Sequence, residues 1–168
     1  MLLEGIRDTL YMTLASTLFG YIIGLPMGIV LTVTDKDGIR PNAAVYKVLD
    51  VISNLLRSIP FIILLIVLIP FTRFVVGRSY GSTATIVPLT IAAAPYIARM
   101  VESSLKEVDA GVIEAARSMG ASDFQIVTKV MLVEARTSLI VGATISLGTI
   151  LGYSAMAGTV GGGGLGDI

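Results

Sequence analysis

Glu114-Ala115-Ala116-Arg117-Ser118-Met119-Gly120 is a short polar stretch lying between two apolar runs, Thr83–Ala98 and Ser138–Thr159. A loop alone would suffice to join two membrane spans, so a patterned helix at this place asks for a reason. Asp109 is a good N-cap, and Val112, Ala115, Ala116 and Met119 recur at i, i+3, i+4 and i+7, which draws one apolar stripe along a helix of about ten residues. Gly120 then stops it as a C-cap. Ser122 with Gln125 three positions on forms a capping box that starts the next helix. The result is a knuckle of two well-stopped helices on either side of a glycine hinge.

Outward from the knuckle the chain is apolar. Of its 168 residues 54% are hydrophobic and 14% charged, with a mean hydropathy of +0.87, against roughly 45–50% and ~25% in a soluble domain. This is the composition of a membrane protein. Four runs, Thr9–Val33, Ile59–Val76, Thr83–Ala98 and Ser138–Thr159, come near the ~20 residues that cross a bilayer, the third at the lower edge. No small-residue cleavage site follows the first run, so it is expected to stay as a span rather than leave as a signal peptide.

Cysteine and histidine are both absent, which excludes disulfides, thiolate metal sites and histidine-dependent chemistry. No catalytic residue and no metal ligand is expected. Zero formal net charge argues against attraction to nucleic acid. No span carries a charge near its centre, which argues against a proton- or sodium-coupled carrier. The chain also lacks a G-x4-G-K-[ST] phosphate loop with which to bind ATP, so a separate ATPase subunit is expected.

Orientation follows from the basic residues. The stretches 34–58 and 99–137, read as loops, hold Lys36, Arg40, Lys47, Arg57, Arg99, Lys106, Arg117, Lys129 and Arg136, whereas the N-terminal segment and the 74–82 hairpin hold Arg7 and Arg78. The positive-inside rule puts the two basic loops in the cytoplasm and the N-terminus outside. Within the first span Gly20, Gly24 and Gly28 recur every fourth residue around Pro26 and form a ridge that another helix can approach closely. Thr144, Gly148, Gly152 and Met156 make a similar ridge on the last span, with Gly152-Tyr153-Ser154-Ala155-Met156-Ala157-Gly158 placing a flexible thioether among small residues.

The knuckle resembles the E-A-A-x3-G-x9-I-x-L-P signature in the cytoplasmic loop of permease subunits of ABC importers. Glu114, Ala115, Ala116, Gly120 and Leu132 match; Val130 replaces the Ile, and Val133 stands in place of the Pro. Glu134 to Asp167 resembles the methionine-uptake branch of that family, whose stretch reads G-Y-S-A-M-A-G, then a glycine-rich run and L-G-D. The resemblance implies an all-α polytopic bundle covering 1–168, acting as a homodimeric permease in the bacterial cytoplasmic (inner) membrane. It implies two ATPase subunits that use ATP and Mg, an extracytoplasmic binding protein, and D- and L-methionine as cargo.

It also implies roles for residues. Val112, Glu114, Ala115, Ala116, Arg117, Met119 and Gly120 would dock the ATPase within the loop 99–137. Gly148, Gly152, Tyr153, Ser154 and Met156 would line or gate the pathway, with Met156 facing its copy across a two-fold axis. Six of residues 158–168 are glycine, so this run reads as the start of an outer loop; permeases of this kind continue into a fifth span, and a truncation by about one helix is expected. The alternatives are an ABC permease for another amino acid or small organic solute, a secondary carrier, or a membrane scaffold.

Overall fold

A computed structural model describes residues 1–168, and it is helical throughout, without a strand. Three helices are long and apolar enough to cross a membrane: α1 (Leu2–Thr34), α5 (Ser82–Lys106) and α9 (Arg136–Gly158). Between α1 and α5 lie α2 (Ala43–Ser58), α3 (Phe61–Val67) and α4 (Ile69–Val76). Between α5 and α9 lie α6 (Ala110–Ser118), then α7 (Asp123–Gln125), a π-helical turn Ile126–Met131 and α8 (Leu132–Glu134).

The second expected span, Ile59–Val76, is not a continuous helix. Pro60 forces Ile59 into an extended conformation (φ −81°, ψ 124°), because the proline ring clashes with a helical residue before it. Pro70 sits in the first turn of α4, where its missing N–H costs nothing, so the helix breaks and restarts at Leu68. The segment that can serve as a fourth span is instead the pair α2 and α3, bent by 103°. Residues 43–58, read from sequence as loop, form a helix capped by Asn42, whose side chain accepts from the Val45 N–H at 3.2 Å.

Helix α2 is turned inside out relative to a helix in water. Ser53 is fully buried and Tyr46 and Asp50 are half-buried, while Val48, Val51, Ile52 and Leu55 are exposed. Apolar residues face outward where the solvent is hydrocarbon.

Helix α5 is the centre of the bundle, and its third-span expectation also changes. It runs on from Ala98 to Lys106, absorbing Arg99 and Glu102 that had marked its end. Its main partner is α1, along an almost unbroken row of small residues. Thr9, Thr13, Ser16, Gly20, Gly24 and Gly28 are all buried. A Cβ at Gly24 would stand 2.7 Å from the Ala94 carbonyl oxygen, and one at Gly28 would stand 2.6 Å from that of Ala98. The backbones therefore touch, which is how helices gain packing energy in a solvent as apolar as their side chains.

The half of the bundle that carries α6 closes over Ile97, Val101, Leu105, Ala116, Ile126 and Ile150. A smaller cluster of Met12, Phe61, Leu89 and Ala157 fills the opposite half. The glycine-rich run does not splay outward. The Gly81 N–H donates to the Gly161 carbonyl at 3.0 Å, the Thr85 hydroxyl to that of Gly162 at 3.1 Å, and the Leu165 N–H to the Thr9 hydroxyl at 2.9 Å. Gly158 and Gly166 pass so close that a Cβ on either would overlap backbone. The run is thus a clasp tying the C-terminal end of α9 to α1 and α5.

Candidate functional site

The knuckle is built by its caps. Asp109 accepts from the Gly111 N–H at 2.6 Å and opens α6. At the other end Gly120 takes φ +84°, the Ala121 N–H donates to the Ala116 carbonyl at 3.1 Å and the Gly120 N–H to that of Arg117 at 3.0 Å. This paired pattern is a Schellman stop. Ser122 and Gln125 then make the reciprocal capping box that starts the next helix. Substituting Gly120 by Val is expected to destabilise the stop by about 1 kcal/mol or more, since a β-branched residue fits poorly at positive φ. Hydrogen exchange at Met119–Ala121 that stays as slow as in the wild type would count against it.

The structure divides the expected stripe between two directions. Ala116 is buried against the chain's own core, and Ile113 packs beside it. Val112, Ala115 and Met119 are exposed, Met119 at 83%. Arg117 is held by its own chain: its guanidinium donates to the Ile39 carbonyl at 3.1 Å and lies 3.5 Å from Asp123. So the surface offered outward is Val112, Ala115 and Met119 with Glu114 at its edge, and Ala116 and Arg117 fasten the helix to the bundle. A cavity of about 660 Å³ opens beside α6 towards the α1–α2 turn, with Asp35, Asp37, Glu114, Lys106 and Arg117 on its wall.

Helix α9 presents two faces as well. Gly142, Ser146, Ile150 and Ser154 are buried at i, i+4 spacing, and the ridge Thr144, Gly148, Gly152, Met156 lies on the exposed side. A Cβ at Gly148 or Gly152 would meet nothing within 4 Å. Met156 is 45% exposed. Tyr153 and Ser154 do not join that ridge. Tyr153 stacks on Phe61 at 4.8 Å between ring centroids with planes 7° apart, and the buried Ser154 hydroxyl donates to the Leu151 carbonyl at 2.7 Å. The Tyr153 stack ties α9 to Phe61 of α3, while the Ser154 bond stays within α9 on its buried face.

One cluster escaped the sequence reading, which had counted Arg99 and Lys106 as loop charges. Glu102 is 4% exposed and accepts from Arg99 at 2.7 Å, from Lys106 at 2.8 Å and from the Tyr46 hydroxyl at 3.3 Å. Arg99 also reaches Asp50, and Lys106 reaches Asp35 at 2.6 Å. The Lys106 ammonium bonded to Asp35 holds that carboxyl below the usual carboxylate range. Its contribution to stability is present above the ordinary Asp value and lost as pH falls through the lowered one. The i, i+3 and i, i+4 spacing of Arg99, Glu102 and Lys106 was the available signal.

Residues 20–168 match the family described as binding-protein-dependent transport system inner membrane component. The D-methionine transport system permease protein MetI of Salmonella typhimurium is 55% identical over 158 residues, covering 94% of this chain and 73% of the relative. The protein of the same description from Escherichia coli (strain K12) has the same identity and coverage. A solved structure of inward-facing conformations of the MetNI methionine ABC transporter superposes with a TM-score of 0.98 at 56% identity, covering 99% of this chain and 77% of that one. A crystal structure of an amino acid ABC transporter with histidines has a TM-score of 0.78 at 22% identity over 99% of this chain and 74% of that one, which speaks to the fold alone.

Proposed function

The chain belongs to the binding-protein-dependent transport system inner membrane components, and on that premise we propose that it is the membrane-spanning permease subunit of an ATP-driven methionine importer. The observation that carries the cargo is the 55% identity to D-methionine permeases over 94% of the chain. That match takes in both the knuckle and the Gly152–Gly158 stretch. The chain has no phosphate loop of its own, so the energy enters through a separate ATPase that binds ATP and Mg. Val112, Ala115 and Met119 are the side chains free to seat in that partner, with Glu114 and the Gly120 stop beside them.

A second copy covers the exposed ridge of α9, where Gly148 and Gly152 permit close approach and Met156 narrows the passage between protomers. An extracytoplasmic binding protein delivers the solute to the opposite end. Lys36, Arg40, Arg117 and Lys129 lie at the end carrying α6, which makes that end cytoplasmic and leaves the N-terminus outside. The test is uptake of labelled D- and L-methionine by vesicles holding the permease with its ATPase and binding protein. ATP-dependent, saturable uptake is expected. Uptake of another solute with none of methionine would overturn the cargo assignment.

Met156→Cys probes the dimer axis in this cysteine-free chain. A disulfide requires Cα atoms within about 7 Å, so cross-linking between protomers is expected in the nucleotide state that closes the passage. Absence of the cross-link in every nucleotide state, with wild-type transport by Met156→Ala, would return Met156 to ordinary packing.

A further inference from the structure

We infer that Glu102 is a positioning residue that couples the docking helix α6 to the bent pair α2 and α3; the inference rests on the importer reading above. A carboxylate this deeply buried survives only when paired, and its partners point to three elements. Arg99 and Lys106 stand three before and four after it on α5. Arg99 extends to Asp50 and, at 3.0 Å, to Asn54 on α2. Lys106 extends to Asp35 where α1 ends. One anion thus aims two cations at two different neighbours, and Tyr46 of α2 closes on it directly.

The position of this hub gives it a role in motion. Only Glu107, Val108 and Asp109 separate Lys106 from α6, and Arg117 of α6 grips the Ile39 carbonyl in the turn leading to α2. A displacement of α6 therefore reaches α2 both through the end of α5 and through that turn. Beyond the bend at Ile59 and Pro60, Phe61 stacks on Tyr153 of α9, one turn from Met156. The α2–α5 contact is polar, with a fully buried Ser53 hydroxyl and a buried Arg99 Nε both lacking partners. Three carboxylates share two cations, so pairs can be exchanged as α2 slides. A static joint would be served as well by apolar packing.

The test compares wild type, Glu102→Gln and Asp50→Asn in the full permease–ATPase complex, reconstituted with its binding protein, reading labelled methionine taken up per ATP hydrolysed. For Glu102→Gln that ratio is expected to fall at least tenfold with hydrolysis within twofold of wild type, and for Asp50→Asn about threefold. Asp50→Asn leaves Glu102 paired and decides the matter if Glu102→Gln does not assemble. A merely structural role lowers the yield of complex and leaves the ratio unchanged; an unchanged ratio in assembled variants overturns the inference. Independently of cargo, spin labels at Ser118→Cys and Leu55→Cys should change separation between nucleotide-free and ATP-trapped states, and Glu102→Gln should abolish that change. No change in the otherwise unaltered chain, or the same change with Glu102→Gln, also overturns it. Wild-type vesicles that take up no methionine sink the methionine-cargo reading instead, and the label separation then decides the role of Glu102.

Discussion

Ala115→Asp is expected to abolish transport while the permease stays folded and inserted. Ala115 is exposed on α6 between Val112 and Met119, so a carboxylate there meets water in the isolated subunit and costs its folding little. In the assembled transporter the same carboxylate would be pressed into a close contact without a partner. Desolvating an unpaired charge costs far more than the ~1.5–3 kcal/mol that burying Val112 or Met119 could contribute to the interface. Co-purification of the ATPase should be lost, and uptake should fall by more than tenfold. Ala116→Asp should fail differently: Ala116 is buried beside Ile126 and Met131, so the permease itself should express poorly. ATPase recovered at wild-type yield with Ala115→Asp, together with normal uptake, would remove α6 from docking.

The contrast between these neighbours marks where sequence reasoning stops. The existence and ends of α6 and the start of the helix after it were legible, because Asp109, Gly120, Ser122 and Gln125 act on backbone within four residues of themselves. Which side of α6 faces home was not. The stripe holds Ala115 and Ala116 side by side, and a 3.6-residue period cannot say which of two adjacent alanines is the inner one. Only the packing of Ile113 and Ala116 against Ile126 and Met131 decides it. The same limit explains α9, where Gly142–Ser146–Ile150–Ser154 and Thr144–Gly148–Gly152–Met156 are both small-residue rows and only the first is packed within the protomer.

Charges misled for a related reason. Arg99, Glu102 and Lys106 read as a loop because ionised groups are costly in hydrocarbon, and Lys47, Asp50 and Arg57 hid α2 in the same way. Asp50, Arg99, Glu102 and Lys106 belong to one cluster whose cost is offset by mutual pairing. The Arg99–Asp50 and Lys106–Asp35 pairs join residues dozens of positions apart and leave no local pattern. Apolar length alone reads Ile59–Val76 as a single span, although Pro60 and Pro70 lie within it. In this run the chain breaks at Ile59 before Pro60 and at Leu68 before Pro70, whereas α5 continues through Pro88 and Pro95.

Gly28→Leu should be the most damaging single change to the permease itself. A Cβ at this position lies 2.6 Å from the Ala98 carbonyl oxygen and 2.7 Å from the Val101 Cβ. Neither atom is the tip of a flexible side chain, so α1 and α5 must separate near their Thr34 and Lys106 ends. That separation loosens the packing of Leu31, Ile97 and Val101, all at most 1% exposed, and strains the Lys106–Asp35 pair across the same two helices. Overpacking a fitted interior typically costs 1–3 kcal/mol, occasionally more; here backbone meets backbone, which places the cost at about 3 kcal/mol. Lipid offers no hydrophobic force to restore the contact. The detergent-solubilised protein should lose its folded population at temperatures where the wild type is intact. Gly148→Ala is the control, since its Cβ meets nothing in the protomer and should leave subunit stability unchanged while altering dimer contact. Equal thermal stability of Gly28→Leu and wild type would mean that the α1–α5 row is not what holds the bundle together.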